Sequence, residues 1–127
     1  MRQNISSGTP WEAIAGYSRA VRVGNHVHVA GTTASDEQGN AIGDDTYTQA
    51  KAALEKIGRA LQEAGATFGD VVRTRVFVSD IANWEAAARA HGEVFAEIRP
   101  ANTLVEAKLV AGRLVEIEAE AIVGGAA

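Results

Sequence analysis

The feature that most constrains the fold is an alternation of apolar and acidic residues near the end of the chain. Five apolar residues alternate there with three glutamates: Val115, Ile117, Ala119, Ala121 and Val123 with Glu116, Glu118 and Glu120. Successive side chains of a strand point to opposite faces, so this pattern predicts a strand with one buried side. The acidic side needs water or cations, and Arg73 and Arg75, on one face of a second strand, could supply the cations.

Two helices are predicted to cover the apolar side. Between about Thr46 and Ala64, apolar residues recur at three- and four-residue steps, which is typical of a helix with one buried face. Asp45 or Thr46 could cap its start, and Gly65 could end it. A second helix is predicted from about Ala82 to Ile98, just before a proline that forbids further helix.

Five segments are predicted to be strands: Tyr17 to Val23, His26 to Gly31, Asp70 to Ser79, Thr103 to Val110, and Arg113 to Val123. Gly24-Asn25 predicts a two-residue turn between the first two strands, and the last two are expected to form a closing hairpin. Residues near Ile5 could add an edge strand. The order ββαβαββ predicts an α+β fold, a single domain over residues 1–127, with one mixed sheet and both helices on one face. The other face would stay uncovered, which favours oligomerisation.

Composition excludes several classes of function. The 127-residue chain has no cysteine, which excludes disulfides, thiolate metal sites and cysteine nucleophiles. The net charge is −4 and the basic residues are scattered, so nucleic acid is an unfavoured partner. No apolar run approaches the roughly 20 residues of a membrane helix, and no signal peptide is visible. We therefore expect a cytoplasmic protein.

The histidines do not predict a metal site. His26 and His28 alternate on one strand face, close enough to share a metal, but no nearby third ligand is identifiable, which favours exposed strand histidines. His91 lies among apolar residues of the second helix, which favours a partly buried histidine over an acid–base group. No phosphate-binding loop or serine-nucleophile motif is present. We expect no metal and no cofactor.

Several short segments between Ala13 and Val123 form an ordered set: Gly16-Tyr17-Ser18-Arg19-Ala20-Val21, Val29-Ala30-Gly31, Glu63-Ala64-Gly65, residues 70–80, Pro100-Ala101, and Val115-Glu116-Ile117-Glu118-Ala119. Together these segments resemble the reactive-intermediate deaminase (Rid) superfamily, also called YjgF or L-PSP. The resemblance implies a fold similar to that of a bacterial chorismate mutase. It also implies a homotrimer with ligand clefts between subunits.

The resemblance also implies a site. Tyr17 matches the aromatic residue that lies against the ligand, Gly31 the glycine whose backbone approaches it, and Glu116 the carboxylate that orients the attacking water. Two positions depart from the family pattern: Thr32 stands where Gln is usual, and Ala88 where an Asn is usual on the second helix.

The most consequential departure is Asn102, which stands where the catalytic branch has the Arg that holds the carboxylate of a small imino acid. An amide offers only neutral hydrogen bonds, so the loss costs about 1–3 kcal/mol, or roughly ten- to hundredfold in affinity for an anion. Asn102 and Thr103 instead suit a neutral or polar ligand. Arg99 or Arg75 could replace the cation, although a solvated charge and a pair with the glutamates are simpler interpretations for them.

These observations predict a member of a branch that lacks the catalytic Arg. It would bind a small polar metabolite, with Tyr17, Gly31, Thr32, Asn102 and Thr103 as binding residues. Glu116 is the candidate catalytic residue, and the reaction, if there is one, is hydrolysis of an imine or enamine. Two alternatives stay open: a non-catalytic ligand-binding or interaction trimer, and the endoribonuclease activity described for some relatives, which the acidic charge disfavours.

Overall fold

The computed structural model describes residues 1–126 as one mixed sheet with helices packed against it. The strands are β1 (Arg2–Ile5), β2 (Ala20–Val23), β3 (His26–Thr33), β4 (Val71–Val78), β5 (Ala101–Glu106) and β6 (Val115–Ile122). The helices are α1 (Pro10–Ala15), α2 (Thr46–Glu63) and α3 (Trp84–Phe95). The sheet order is β1-β2-β3-β6-β4-β5. An α+β fold with one six-stranded sheet and two main helices is thus confirmed.

The helix α2 forms where its pattern of residues predicted. The Asp45 carboxylate caps its start by accepting a hydrogen bond from the Thr48 backbone N–H at 2.7 Å. Gly65, with a φ of 83°, ends it, since a residue with a Cβ is strained in that conformation. The buried stripe of α2 and the apolar side of β6 belong to one core that also includes α3 residues: Ala50, Leu54, Ile57, Leu61, Ala87, Phe95, Val115, Ile117, Ala119 and Ala121.

The uncovered face of the sheet carries the three glutamates of β6. Arg75 on β4 lies between two of them, with Nη1 2.9 Å from Glu118 Oε1 and 3.1 Å from Glu120 Oε1. This confirms the prediction that an arginine of β4 pairs with the glutamates of β6. For Arg73 the prediction is wrong, because in the described chain it forms no ion pair with a glutamate and its Nη2 donates to Thr103 Oγ1 on β5 at 2.8 Å.

The predicted closing hairpin is wrong. β5 pairs in parallel with β4, whereas β6 lies between β4 and β3 and is antiparallel to both. A strand with a fully apolar side is best placed centrally, and the mostly exposed residues of β5 suit the sheet edge. The α3 helix supplies the crossover that a parallel pair needs.

Of three smaller predictions, two are confirmed and one has a shifted boundary. The edge strand near Ile5 is present as β1, which pairs with β2, and the Gly24-Asn25 turn joins β2 to β3. Strand β2 begins at Ala20, three residues after its predicted start at Tyr17. Tyr17 lies just after the end of α1, a short helix that was not predicted. In the described part of the chain, no helix combines the length and apolar character needed to cross a membrane.

Candidate functional site

A pocket of about 250 Å³ lies where α1, β3, α2 and the start of β6 meet, and we call it the Glu116 pocket. The residues that line it are Trp11, Ala15, Tyr17, Arg19, Gly31, Thr33, Lys56, Val110 and Glu116. Its volume is below that of typical sites for drug-sized ligands, so it suits a small metabolite.

The carboxylate of Glu116 lies directly against the backbone of Gly31. A Cβ at Gly31 would collide with this carboxylate, so the close approach requires glycine. The pairing of β3 with β6 shifts register between Val29 and Thr32, the stretch that contains Gly31, and Glu116 pairs with Thr33 just beyond it. Burial raises the pKa of Glu116, and the charge of Glu118 raises it further against the opposing effect of Arg19. The site therefore holds a carboxyl group that keeps its proton to a higher pH than an exposed glutamate does.

Arg19 connects several residues on one side of the pocket through hydrogen bonds. It is 3% exposed, and its Nη1 donates to the Gly31 carbonyl at 2.6 Å and to Thr32 Oγ1 at 3.0 Å. Its Nη2 donates to the hydroxyl of Tyr17 at 3.3 Å, and this exposed tyrosine also lines the pocket. Nη2 also lies 3.6 Å from Glu12, a buried carboxylate on α1. Burial acts to raise the pKa of Glu12, but hydrogen bonds from serine and threonine hydroxyls lower it overall, so it stays charged.

Thr32 is one of the residues that Arg19 connects. Its side chain is fully buried, and its hydroxyl donates to the Ala30 carbonyl at 2.7 Å while accepting from Arg19. The neighbouring Thr33 lines the pocket. Thr32 thus fixes the arginine, and a contact of Thr32 with the ligand stays a prediction.

Lys56 is a pocket residue that the sequence analysis missed. It is only 8% exposed, although it is a lysine in the middle of α2, and its Nζ donates to the Ser35 carbonyl at 3.0 Å. Burial lowers the pKa of Lys56 to about 8, the charge of Arg19 contributes, and Glu12 opposes the shift. The sequence offered only an indirect signal, because Lys56 lies three residues after Ala53 and four before Ala60, and these alanines are buried in the structure.

Asn102 and Thr103 lie on β5, which is an edge strand of the sheet. Asn102 Nδ2 donates to Thr74 Oγ1 at 3.0 Å, and Thr74 Oγ1 lies 2.8 Å from Nε2 of His91. Thr103 pairs with Arg75 and points to the opposite face of the sheet. A single chain thus brings Tyr17, Gly31 and Glu116 together, but it does not bring Asn102 or Thr103 into the described lining of the Glu116 pocket.

The two arginines considered as replacement cations also lie outside this lining. Arg75 is paired with glutamates on the uncovered face, and Arg99 is exposed with its Nε donating to the Ala96 carbonyl at 3.0 Å. The cations that line the pocket are Arg19 and Lys56.

The other candidate residues have structural surroundings. His26 and His28 are exposed on β3, and residues 1–126 contain no cluster of three side chains suited to hold a metal ion. Burial lowers the pKa of His91, which makes a neutral ring beside Thr74 the favoured form. Ala88 is half-buried on α3.

Comparison with known proteins assigns the chain to a family. The family model described as Endoribonuclease L-PSP matches residues 8–123. An uncharacterized protein of Streptomyces coelicolor is 38% identical over 96% of this chain and 92% of its own length. A human protein named 2-iminobutanoate/2-iminopropanoate deaminase is 32% identical over 98% of this chain and 92% of its own length.

Solved structures agree with the sequence comparison. The crystal structure of a Mycobacterium tuberculosis member of the YjgF/YER057c/UK114 family has a TM-score of 0.89 at 49% identity, covering 97% of this chain and 100% of that one. The YjgF gene product of E. coli has a TM-score of 0.83 at 28% identity, covering 94% and 98%. The chain belongs to the Endoribonuclease L-PSP family, also known as the Rid or YjgF/YER057c/UK114 family.

Proposed function

We propose that the protein is a hydrolase of a small imine or enamine, of the deaminase type, from a branch of the family without the catalytic Arg. The observation that carries the proposal is the desolvated carboxyl group of Glu116, held against Gly31 in a pocket of small-metabolite size. Relatives about 32% identical to this chain are named 2-iminobutanoate/2-iminopropanoate deaminases, which supports the same class of reaction.

Glu116 would act as both base and acid. As a carboxylate it accepts a proton from water while the water oxygen adds to the imine carbon. It then returns that proton to the nitrogen, which gives a neutral carbinolamine. In a second transfer Glu116 takes the hydroxyl proton of this adduct and gives it to the same nitrogen, so that the carbonyl forms as the carbon–nitrogen bond breaks and ammonia leaves. The overall change is imine plus water to carbonyl compound plus ammonia. The raised pKa of Glu116 suits this double role, because general catalysis is most efficient when the pKa lies near the working pH.

A homotrimer would complete the site. In one chain Tyr17 and Glu116 line the same pocket, whereas Asn102 and Thr103 lie on the exposed edge strand β5. We propose that the β5 edge of one subunit faces the Glu116 pocket of the next, with clefts between subunits as the family resemblance implies. The uncovered sheet face, with its paired Arg75 and glutamates, would then lie inside the assembly.

A second candidate is a ligand-binding trimer without catalysis. Asn102 favours it, because loss of a guanidinium removes the strongest carboxylate contact expected in the catalytic branch. The name of the family model also keeps RNA cleavage as a candidate, but the net charge of −4 disfavours it.

The test is release of ammonia from an imine generated by an amino-acid oxidase, with and without the protein. We expect acceleration by the wild type and a loss of about a hundredfold or more in Glu116→Gln, the range of general acid–base catalysis. Glu120→Gln is the matched control, since Glu120 shares the strand face but lies outside the pocket lining. Absence of acceleration across a panel of imines, with metabolites still raising the Tm, would favour the binding trimer instead.

A further inference from the structure

The hydrogen bonding of Lys56 is incomplete. An ammonium group has three N–H donors, and the described chain supplies one acceptor, the Ser35 carbonyl at 3.0 Å. No carboxylate of residues 1–126 forms an ion pair with it. A cation that is 8% exposed normally requires a partner, because burying an unpaired charge is costly.

The surroundings of Lys56 carry excess positive charge. Arg19 and Arg113 are 3% and 5% exposed, and Arg59 lies one turn along α2. Arg113 donates to Ser35 Oγ at 2.9 Å and to backbone carbonyls, so no carboxylate neutralises it. Glu12 is the buried carboxylate of this region, and it already lies beside Arg19. The fold thus concentrates three buried cations against one buried, fully charged acid.

The free donors of Lys56 can meet a ligand in either of two pockets. The larger, of about 640 Å³, is lined by Asp36, Glu37 and Glu63 as well as by cations, so its charges balance. In the lining of the Glu116 pocket, the cations Arg19 and Lys56 outnumber the single carboxyl group, Glu116. An anion is therefore favoured in the Glu116 pocket.

We propose that Lys56 is a ligand-binding residue that holds the acidic group of the substrate in the Glu116 pocket. The substrate class is then an imine or enamine that bears a carboxylate, bound through an ammonium on α2 in place of a guanidinium at position 102. This inference rests on the proposed function. The ligand lies between Lys56 and Glu116, which line the same pocket without forming an ion pair.

The experiment compares pyruvate with its uncharged analogue pyruvamide by calorimetric titration at pH 7. We expect Lys56→Met to weaken pyruvate binding about ten- to hundredfold, as loss of a charge-assisted hydrogen bond does, and to leave pyruvamide binding unchanged. Lys56→Arg should retain pyruvate affinity within a few-fold. Lys51→Met is the matched control, because Lys51 is an exposed lysine on the same helix that pairs with Glu93.

Three results would overturn the assignment. They are equal affinity of Lys56→Met and wild type for pyruvate, an equal loss of affinity for both probes, and a covalent pyruvate adduct on Lys56 trapped by borohydride.

Kinetic measurements distinguish the lysine assignment from the proposed hydrolase activity. If Lys56→Met leaves the KM for an anionic imine unchanged while Glu116→Gln abolishes turnover, the lysine assignment fails and the hydrolase stands. If Lys56-dependent pyruvate binding occurs without turnover of any imine, the hydrolase fails and the binding site stands.

Discussion

Replacing Lys56 with methionine should make the folded protein more stable at pH 7. The lysine has its ordinary pKa of 10.5 when exposed, and burial lowers the pKa to about 8. Each pKa unit corresponds to about 1.4 kcal/mol, so keeping the ammonium charged in the fold costs about 3 kcal/mol below pH 8. Methionine retains the apolar stem of the side chain and removes this cost.

Part of that gain is lost at Ser35. The Ser35 carbonyl accepts a hydrogen bond from Lys56 and, in a residue that is 2% exposed, would lose this donor. An unsatisfied buried acceptor costs about 1 kcal/mol or somewhat more. We therefore expect Lys56→Met to raise the free energy of unfolding by about 2 kcal/mol at pH 7.

The stability difference between Lys56→Met and the wild type should depend on pH. Because the pKa of Lys56 is lower in the folded state, the unfolded chain binds more protons between pH 8 and 10.5, and wild-type stability rises with pH across that window. The methionine variant has no such contribution. The stability difference between the two proteins should therefore be largest below pH 8 and shrink toward pH 10.5.

Urea unfolding at fixed protein concentration, followed by tryptophan fluorescence at pH 7 and pH 10, measures this difference. The Lys51→Met control should be slightly destabilised at both pH values, since it loses an exposed pair with Glu93. A Lys56→Met protein that is less stable than wild type at pH 7, or a difference that does not shrink at pH 10, would refute the view that the ammonium is held in the fold at a cost.

Three further predictions follow from the geometry. Gly31→Ala should reduce imine hydrolysis about a hundredfold with little change in Tm, because the new Cβ displaces the Glu116 carboxylate; unchanged kcat would contradict this. For an anionic imine, kcat/KM should rise with pH through a midpoint above the ordinary glutamate value of 4.5, and fall near pH 8 as Lys56 loses its proton. Lys56→Arg should abolish the fall but not the rise. Thr74→Val should lower the free energy of unfolding by about 1–3 kcal/mol, since His91 loses its buried partner, and chemical denaturation tests this.

Much of the fold could be predicted because its signals are local. The alternation around Glu116 marks a one-sided strand, and the helical stripe that includes Leu54 and Ile57 marks the helix that covers it. The Gly24-Asn25 turn fixes the pairing of two strands by chain length alone. Each of these signals depends on residues close together in sequence.

The errors come from partners that are distant in sequence. Strand β5 has few apolar residues, so nothing local shows that it joins β4 in parallel across the α3 crossover. Lys56 was missed for a similar reason: a single lysine in a helix usually faces solvent, and only the packing of Ser35 against α2 buries it. Of the site, Tyr17, Gly31 and Glu116 were predicted and lie together, whereas the pocket's cations required the structure.

The hydrogen bond from Asn102 to Thr74 has a consequence for placing an arginine at position 102. The Asn102 amide points inward and satisfies a hydroxyl that is 1% exposed. A guanidinium at position 102 that reached outward for a ligand would leave that hydroxyl with one partner fewer. Asn102→Arg alone would therefore add a cation at the sheet edge and remove a hydrogen bond from buried Thr74, so a compatible change at Thr74 should accompany it.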